Sequence, residues 1–326
     1  MDVLLAMRTF RRVVERGSFS QAAVDLGQST AAVSKQVRQL EKHLGSLLLL
    51  RTTRRMSLSE SGQAYFSECC HLLEELDALE RATQSGSSEP SGRLRVNAPL
   101  SFGLKVLSPI LVAFMQRYPD LKVELTLDDR LLDVVSEGFD VSLRIRSHLP
   151  DSSLVARRLG EVAQVICAAP AYLKANGTPH SVEALREHSC LAYRLAEHPG
   201  SWQLQGPQGN SRLELPVRLA VDNSLMLSEM LLAGLGIGAL PSFIAQPLLD
   251  SGQLMQLLPE QSMPRRSIYA LYASHRHVSQ KVRVFVDFLA CALQALPPDT
   301  PASDASAGAV KNIVDTSMPG SQIRAY

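Results

Sequence analysis

The residues most suited to chemistry cluster in 28–45, QSTAAVSKQVRQLEKHLG. Ser29, Thr30, Ala31 and Ser34 make a small, polar tip, and Lys35, Arg38 and Lys42 make a basic flank behind it. A helix that begins with free N–H groups and hydroxyls, and continues with cations, is equipped to meet phosphate. The charge distribution points the same way. The chain has 326 residues and a net charge of only +1. Residues 1–58, however, hold ten Lys/Arg against four Asp/Glu, and the remainder holds 23 against 28. A head of +6 on a body of −5 is the footprint of a segment that binds a polyanion.

No catalytic constellation competes with that assignment. H-E-x-x-H, G-x-S-x-G and the phosphate loop of nucleotide hydrolases are all missing from the sequence. GLGIG at 234–238 is similar to half a dinucleotide loop, but it follows a helical pattern and precedes a strand, the reverse of the required order. It reads instead as a helix end leading into a strand. His275 and His277 are close together but have no third ligand partner, and His180, His188 and His198 fall in a loop-rich region. The cysteines, Cys69, Cys70, Cys167, Cys190 and Cys291, are odd in number and form no C-x-x-C, which suits a reducing cytoplasm. No residue is assigned to catalysis or to a metal, and no cofactor is expected. No run reaches the ~18 apolar residues of a membrane helix, and the N-terminal MDVLLAMRTF lacks the basic leader of a signal peptide.

The surrounding elements position the basic stretch. Val3, Met7, Phe10 and Val14 form one helical stripe. Ser18 or Ser20 caps a short second helix, QAAVDLG, which Gly27 ends, and Ser29 caps a third helix running to Leu44, with Gly45 after it. Two helices of these lengths with a tight turn make a helix-turn-helix candidate, with Val33, Val37, Leu40 and Leu44 as its buried stripe. RTTRRMSLS then alternates as a small wing carrying Arg51 and Arg54 near its tip. Over 62–84 one long helix follows, in which Tyr65, Cys69, Leu72, Leu76 and Leu79 step by four and three. That is a heptad seam suited to pairing with a second copy, or to packing on its own domain. QSGSSEPSG is a hinge by composition. Beyond it, RLRVNAP, LKVELTLDD and DVSLRI alternate with helical stretches, the pattern of an α/β sheet. Residues 297–326 have the composition of a disordered tail.

Taken together, SFSQAAVDL, STAAVSKQVRQLEKHLG, LLLRTTRRMSLSESG, RLRVNAPLSFG, EGFDVSLRI and LPDSSLVARRL resemble the LysR-type transcriptional regulators over about 1–297. The resemblance implies a winged helix-turn-helix at 1–61, a dimerising linker helix at 62–86 and a hinge at 87–92. It also implies a two-lobed, periplasmic-binding-protein-like effector domain, with lobe I from 93–162 and 268–296 and lobe II from 163–267. The implied function is sequence-specific, ligand-responsive control of transcription in the bacterial cytoplasm. The implied partners are double-stranded operator DNA, a small effector, further copies of the chain (a dimer or tetramer) and RNA polymerase. Many members have Ser-Gln-Pro-Ala at the recognition tip, where this chain has Ser29-Thr30-Ala31-Ala32, and Lys35 stands where arginine is common. The bidentate amide suited to adenine is therefore absent. Thr30, Ala31, Ser34 and Lys35 are expected to face base edges, and Ser29, Arg38, Arg51 and Arg54 to face phosphate.

For the effector, two strand-to-helix turns stand out, one leading to Ser101 and Phe102, the other to Asn223 and Ser224. Such turns lie at the carboxyl ends of strands, where ligands sit in α/β folds. Both helix starts would offer N–H groups to an anion, with Phe102 as an apolar wall and Arg144 and Arg146, from one face of VSLRIR, adding charge. Two other functions fit parts of the sequence. A solute-binding module would need a secretion signal, and a non-specific architectural DNA binder would not need the α/β body.

Overall fold

A computed structural model of the chain describes residues 1–295 except 52–55, 86–89, 131–136, 150–153, 208 and 274–277. Two compact units appear, one made chiefly of Met1–Arg93 and the other of Leu94 onward.

The first unit opens with α1 (Val3–Arg16), α2 (Phe19–Asp25) and α3 (Thr30–Leu44). Each begins at a side-chain cap. Asp2, Ser18 and Ser29 accept from the N–H groups of Leu5, Gln21 and Ala32. Gly17 and Gly45 end α1 and α3 at φ near +62° and +64°, a conformation that glycine adopts without strain. Phe10, Val33, Val37 and Leu40 are fully buried in the shared core. α1 turns Ala6, Thr9, Phe10 and Val13 inward, so the expected stripe is rotated and Val3 lies outside. Leu44 is exposed, and Glu41 takes the buried place expected of it. The wing is a two-stranded antiparallel ribbon, β1 (Leu49–Arg51) and β2 (Met56–Leu58), with Arg51 opposite Met56. α4 (Glu60–Ser85) closes the unit.

The second unit holds β3 (Gly92–Ala98), then α5 (Leu100–Phe102), a π turn over Gly103–Leu107 and α6 (Ser108–Arg117) in one continuous run. β3 starts one residue inside the expected hinge. The run Leu100–Arg117 is apolar enough to match a membrane span by composition, against the expectation that none would. Its residues Phe102, Leu107, Ile110 and Phe114 lie in the core, so it is a packed helix of this unit. The chain continues through β4 (Leu121–Leu127), β5 (Val141–Arg146), β6 (Leu154–Val162), β7 (Gln164–Ala168), α7 (Pro170–Asn176), β8 (Cys190–Tyr193), β9 (Ser201–Gly206), β10 (Gly209–Glu214) and β11 (Val217–Val221). It ends with α8 (Ser224–Leu232), β12 (Ile237–Pro241), α9 (Ser242–Asp250), β13 (Met255–Gln256), β14 (Arg266–Ala273) and α10 (Gln280–Ala295). β10 and α9 have no counterpart in the sequence reading.

Among the described residues these strands build two five-stranded sheets, ordered β4-β3-β5-β14-β6 and β11-β8-β12-β7-β13. β14 returns to the first sheet between β5 and β6, so the chain passes between the sheets twice. α10 covers the first sheet, where Phe285 and Phe288 meet Phe114 edge-on at 5.1 and 5.3 Å between ring centroids. Lys281 of α10 pairs with Asp140 at 2.9 Å, both buried. The Asp140 carboxylate also accepts from the Arg95 N–H at 2.7 Å, which completes its shell and makes a buried charge tolerable.

Candidate nucleic-acid interface and ligand cleft

On α3 the burial pattern divides the helix by function. Val33, Val37 and Leu40 face the core, while Thr30, Ala31, Lys35 and Arg38 are exposed and Ser34 is half-buried. Ser29 is the N-cap, its hydroxyl held by the Ala32 N–H at 3.2 Å. Arg38 folds back to donate from Nε to the Ser34 carbonyl at 3.3 Å. These six residues therefore form one contiguous tip and flank on an exposed helix start. The Arg51 backbone lies in the wing, whereas Arg54 falls outside the described residues.

Sequence reasoning missed the residue that ties wing to helix. Glu41, buried on α3, accepts from the N–H groups of Leu48 and Leu49 at 3.0 and 3.1 Å. One carboxylate thereby satisfies two backbone donors where the chain turns into β1. Gly62 approaches equally closely from α4, where a Cβ would come within 2.0 Å of the Leu48 carbonyl oxygen.

The expected seam on α4 is corrected in part. Cys69 is buried among the side chains of its own unit, with its thiol toward the Met7 carbonyl at 3.7 Å, and Tyr65 packs 5.8 Å from the ring of Phe10. These two, with Phe66 and Leu73, secure α4 to α1; Cys69 and Leu73 are fully buried there, whereas Tyr65 is half-buried. Burial pushes the Cys69 thiol up to about 12. Leu72, on another face, is 54% exposed, Leu76 is half-buried, and the Leu79 side chain lies outside the described residues.

In the second unit, a cleft lies where the two sheets face each other. Phe102, Asp128, Asp129, Arg144 and Arg146 line it from the first sheet's side, and Tyr193, Glu197, Ser224 and Phe243 from the other. Three contacts span the two sides. Asn223 donates to Asp129 at 2.8 Å, the Ser147 N–H donates to Glu197 at 3.2 Å, and Phe102 meets Phe243 edge-on at 6.0 Å.

Of the six residues expected here, Phe102, Arg144, Arg146 and Ser224 line the cleft, and Ser101 and Asn223 do not. Ser101 is buried, its hydroxyl without a hydrogen-bond partner among the described residues. Neither serine is a cap. The Leu100 N–H donates to Asp129 at 3.1 Å, and Asn223 caps α8 by accepting from Leu225 and Met226. The Leu100 N–H and two N–H groups at the start of α8 are thus engaged within the chain itself. Burial holds the Asp129 carboxyl above its usual range, against the pull of Asn223 and the Leu100 N–H.

The positive charge of the cleft comes from arginines. Arg144 is buried, donates to Asn97 and to the Leu143 carbonyl, and is lowered to about 10 by burial and by Arg146. Arg266, at the start of β14, was not foreseen. Burial lowers it too, against the pull of Tyr193 and Glu197. Among the described residues, neither the Arg146 nor the Arg266 side chain has a hydrogen bond or ion pair. The cleft carboxylates do: Asp128 pairs with Arg130 at 2.7 Å, Asp129 holds Asn223 and the Leu100 N–H, and Glu197 holds the Ser147 N–H.

A winged helix-turn-helix joined to a two-sheet, cleft-bearing unit defines a DNA-binding regulator with its own ligand domain. Comparison with known proteins agrees. The profile of the bacterial regulatory helix-turn-helix proteins of the lysR family matches residues 4–63, and that of the LysR substrate binding domain matches 87–294. The chain is 36% identical over 282 residues to an uncharacterized HTH-type transcriptional regulator of Haemophilus influenzae, covering 86% of this chain and 98% of that one. It is 35% identical over 292 residues to the HTH-type transcriptional repressor PA14_22550 of Pseudomonas aeruginosa, covering 89% and 92%. The solved structure of CrgA, a LysR-type regulator from Neisseria meningitidis, is similar with a TM-score of 0.57 at 33% identity, covering 87% and 97%. The chain belongs to the LysR family of transcriptional regulators. LysR regulators bind operator DNA and small effectors, and they form oligomers.

Proposed function

We propose that this chain reads its operator with the exposed start of α3. Thr30, Ala31, Ser34 and Lys35 meet base edges in the major groove, and Ser29, Arg38, Arg51 and Arg54 hold phosphate. The observation that carries this reading is the division of α3, in which every bulky apolar residue of the first three turns is buried and the small polar tip is exposed. Two copies pair through the face of α4 that bears Leu72 and Leu76, continued toward Leu79. The working division is a winged helix-turn-helix at 1–61, linker helix at 62–86, hinge at 87–92, lobe I at 93–162 with 268–296, lobe II at 163–267 and a dispensable tail at 297–326. The cleft between the lobes takes a small anionic effector, which Arg146 and Arg266 bind as cations whose side chains make no hydrogen bond or ion pair among the described residues, with Glu197 and Tyr193 beside Arg266. The protein acts in the bacterial cytoplasm, without catalysing a reaction, and RNA polymerase is its further partner at the promoter.

The test is binding to a panel of single-base operator variants at two salt concentrations. Thr30→Ala and Lys35→Ala should each cost ~1–3 kcal/mol and relax preference at one base position. Arg51→Ala should weaken all sequences alike and flatten the salt dependence. Equal profiles for the two classes would refute the division of labour.

A further inference from the structure

The cleft does not end at its arginines. Gln164, Tyr193, Ala196, Glu197 and Arg266 also line a second, larger compartment of about 250 Å³, against about 70 Å³ for the first. Its remaining wall has two characters. Trp202, Leu191, Met263 and Pro264 supply apolar surface, while Ser201 and Gln203 supply hydrogen-bonding groups. Ser201 is 6% exposed, and its hydroxyl has no hydrogen-bond partner among the described residues. A buried hydroxyl left in that state carries an uncompensated desolvation cost, which a ligand that bonds to it offsets.

Size and charge together define what fits. A cavity of about 150 Å³ accepts benzene, so the larger compartment holds a substituted ring and the smaller one does not. The smaller compartment has Arg146 and Arg266 instead, and the carboxylates beside them are already engaged. A short dicarboxylate would satisfy the cations and leave the larger compartment unfilled. A ring without an acid would do the opposite.

We propose that the effector is a ring-bearing carboxylate spanning both compartments. Its carboxylate meets Arg146 and Arg266, and its ring lies beside Trp202 with a hydroxyl or similar substituent bonded to Ser201. This rests on the anionic-effector reading of the cleft and adds the second anchor. Trp202 is the single tryptophan of the chain, so its emission reports on the larger compartment directly.

The experiment uses the full-length protein with a panel of hydroxyaryl carboxylates headed by 4-hydroxyphenylacetate, and with phenylacetate, succinate and p-cresol as comparators. Affinity is measured by calorimetry and compartment occupancy by Trp202 fluorescence. A hydroxyaryl carboxylate should bind with a saturable change in emission, and p-cresol should bind at least ten-fold more weakly. Ala239→Phe, which fills the larger compartment from β12, should weaken the hydroxyaryl carboxylate at least ten-fold. Should that variant misfold by circular dichroism, Ser201→Ala carries the test, by erasing the preference for 4-hydroxyphenylacetate over phenylacetate. Carboxylates that bind in an Arg146-dependent manner, yet leave emission unchanged and ignore Ser201→Ala, overturn the ring compartment while the anionic reading stands. If neither succinate nor any aryl carboxylate binds, both fall.

Discussion

At the scale of the residue, the most consequential side chain is one that carries no motif. Glu41 joins α3 to the start of the wing through two backbone N–H groups, beside the Ser59 hydrogen bonds to the Leu47 and Leu48 carbonyls. Glu41→Ala leaves both amides buried and unpaired, at a cost of about 1–3 kcal/mol each before water compensates. Urea denaturation should show that loss in the N-terminal unit, and operator affinity should fall although Glu41 touches no DNA. A variant with parental stability and affinity would show that the wing is held by other contacts. Glu41 was invisible in the sequence because its partners, Leu48 and Leu49, are brought to it by a chain turn and not by helical spacing. The caps beside the cleft were hidden for a related reason. Ser101 and Ser224 sit where caps belong, but Asp129, which comes from 29 residues away, and Asn223 do the capping. Arg266 was missed because its place in the cleft is set by β14 returning to the first sheet, a non-local pairing that no local pattern announces.

Elements were far more legible, for physical reasons that differ from one to the next. α3 carries its own boundaries, since Ser29 can accept from Ala32 and Gly45 can adopt positive φ, and its apolar period is set by contact with α1. α4 carries two superposed periods. One stripe, Phe66, Cys69 and Leu73, faces its own unit, and the second, Leu72 and Leu76 with Tyr65 in line with them, lies about a fifth of a turn away. Spacing by three and four links residues of both stripes into one apparent seam, which is why Cys69 was grouped with the residues expected to meet a partner. Leu76→Asp therefore tests the pairing face without emptying the internal core. It should convert the dimer to monomer by light scattering and abolish cooperative operator binding, while thermal unfolding of the monomer changes by less than about 1 kcal/mol, as for surface substitutions. A dimer that survives Leu76→Asp would move the contact elsewhere on the chain.

For the whole molecule, the two units divide the labour of a switch. The first offers a positively charged reading surface, and the second a cleft whose sides touch through Asn223–Asp129, Ser147–Glu197 and Phe102–Phe243. A ligand that engages Arg146 and Arg266 biases such a unit only through a difference in affinity between its conformations. Ligand occupancy must therefore appear at the DNA if the protein is a ligand-responsive regulator. The decisive measurement is nuclease protection by the full-length protein on genomic fragments selected from its own chromosome, with and without a cleft ligand identified by calorimetry. The account predicts protection of a two-fold symmetric site, lost in Thr30→Ala Lys35→Ala. It also predicts that the ligand changes the extent or affinity of protection, and that this change disappears in Arg146→Gln. Uniform protection without sequence preference, or a footprint that the bound ligand leaves untouched, would contradict it.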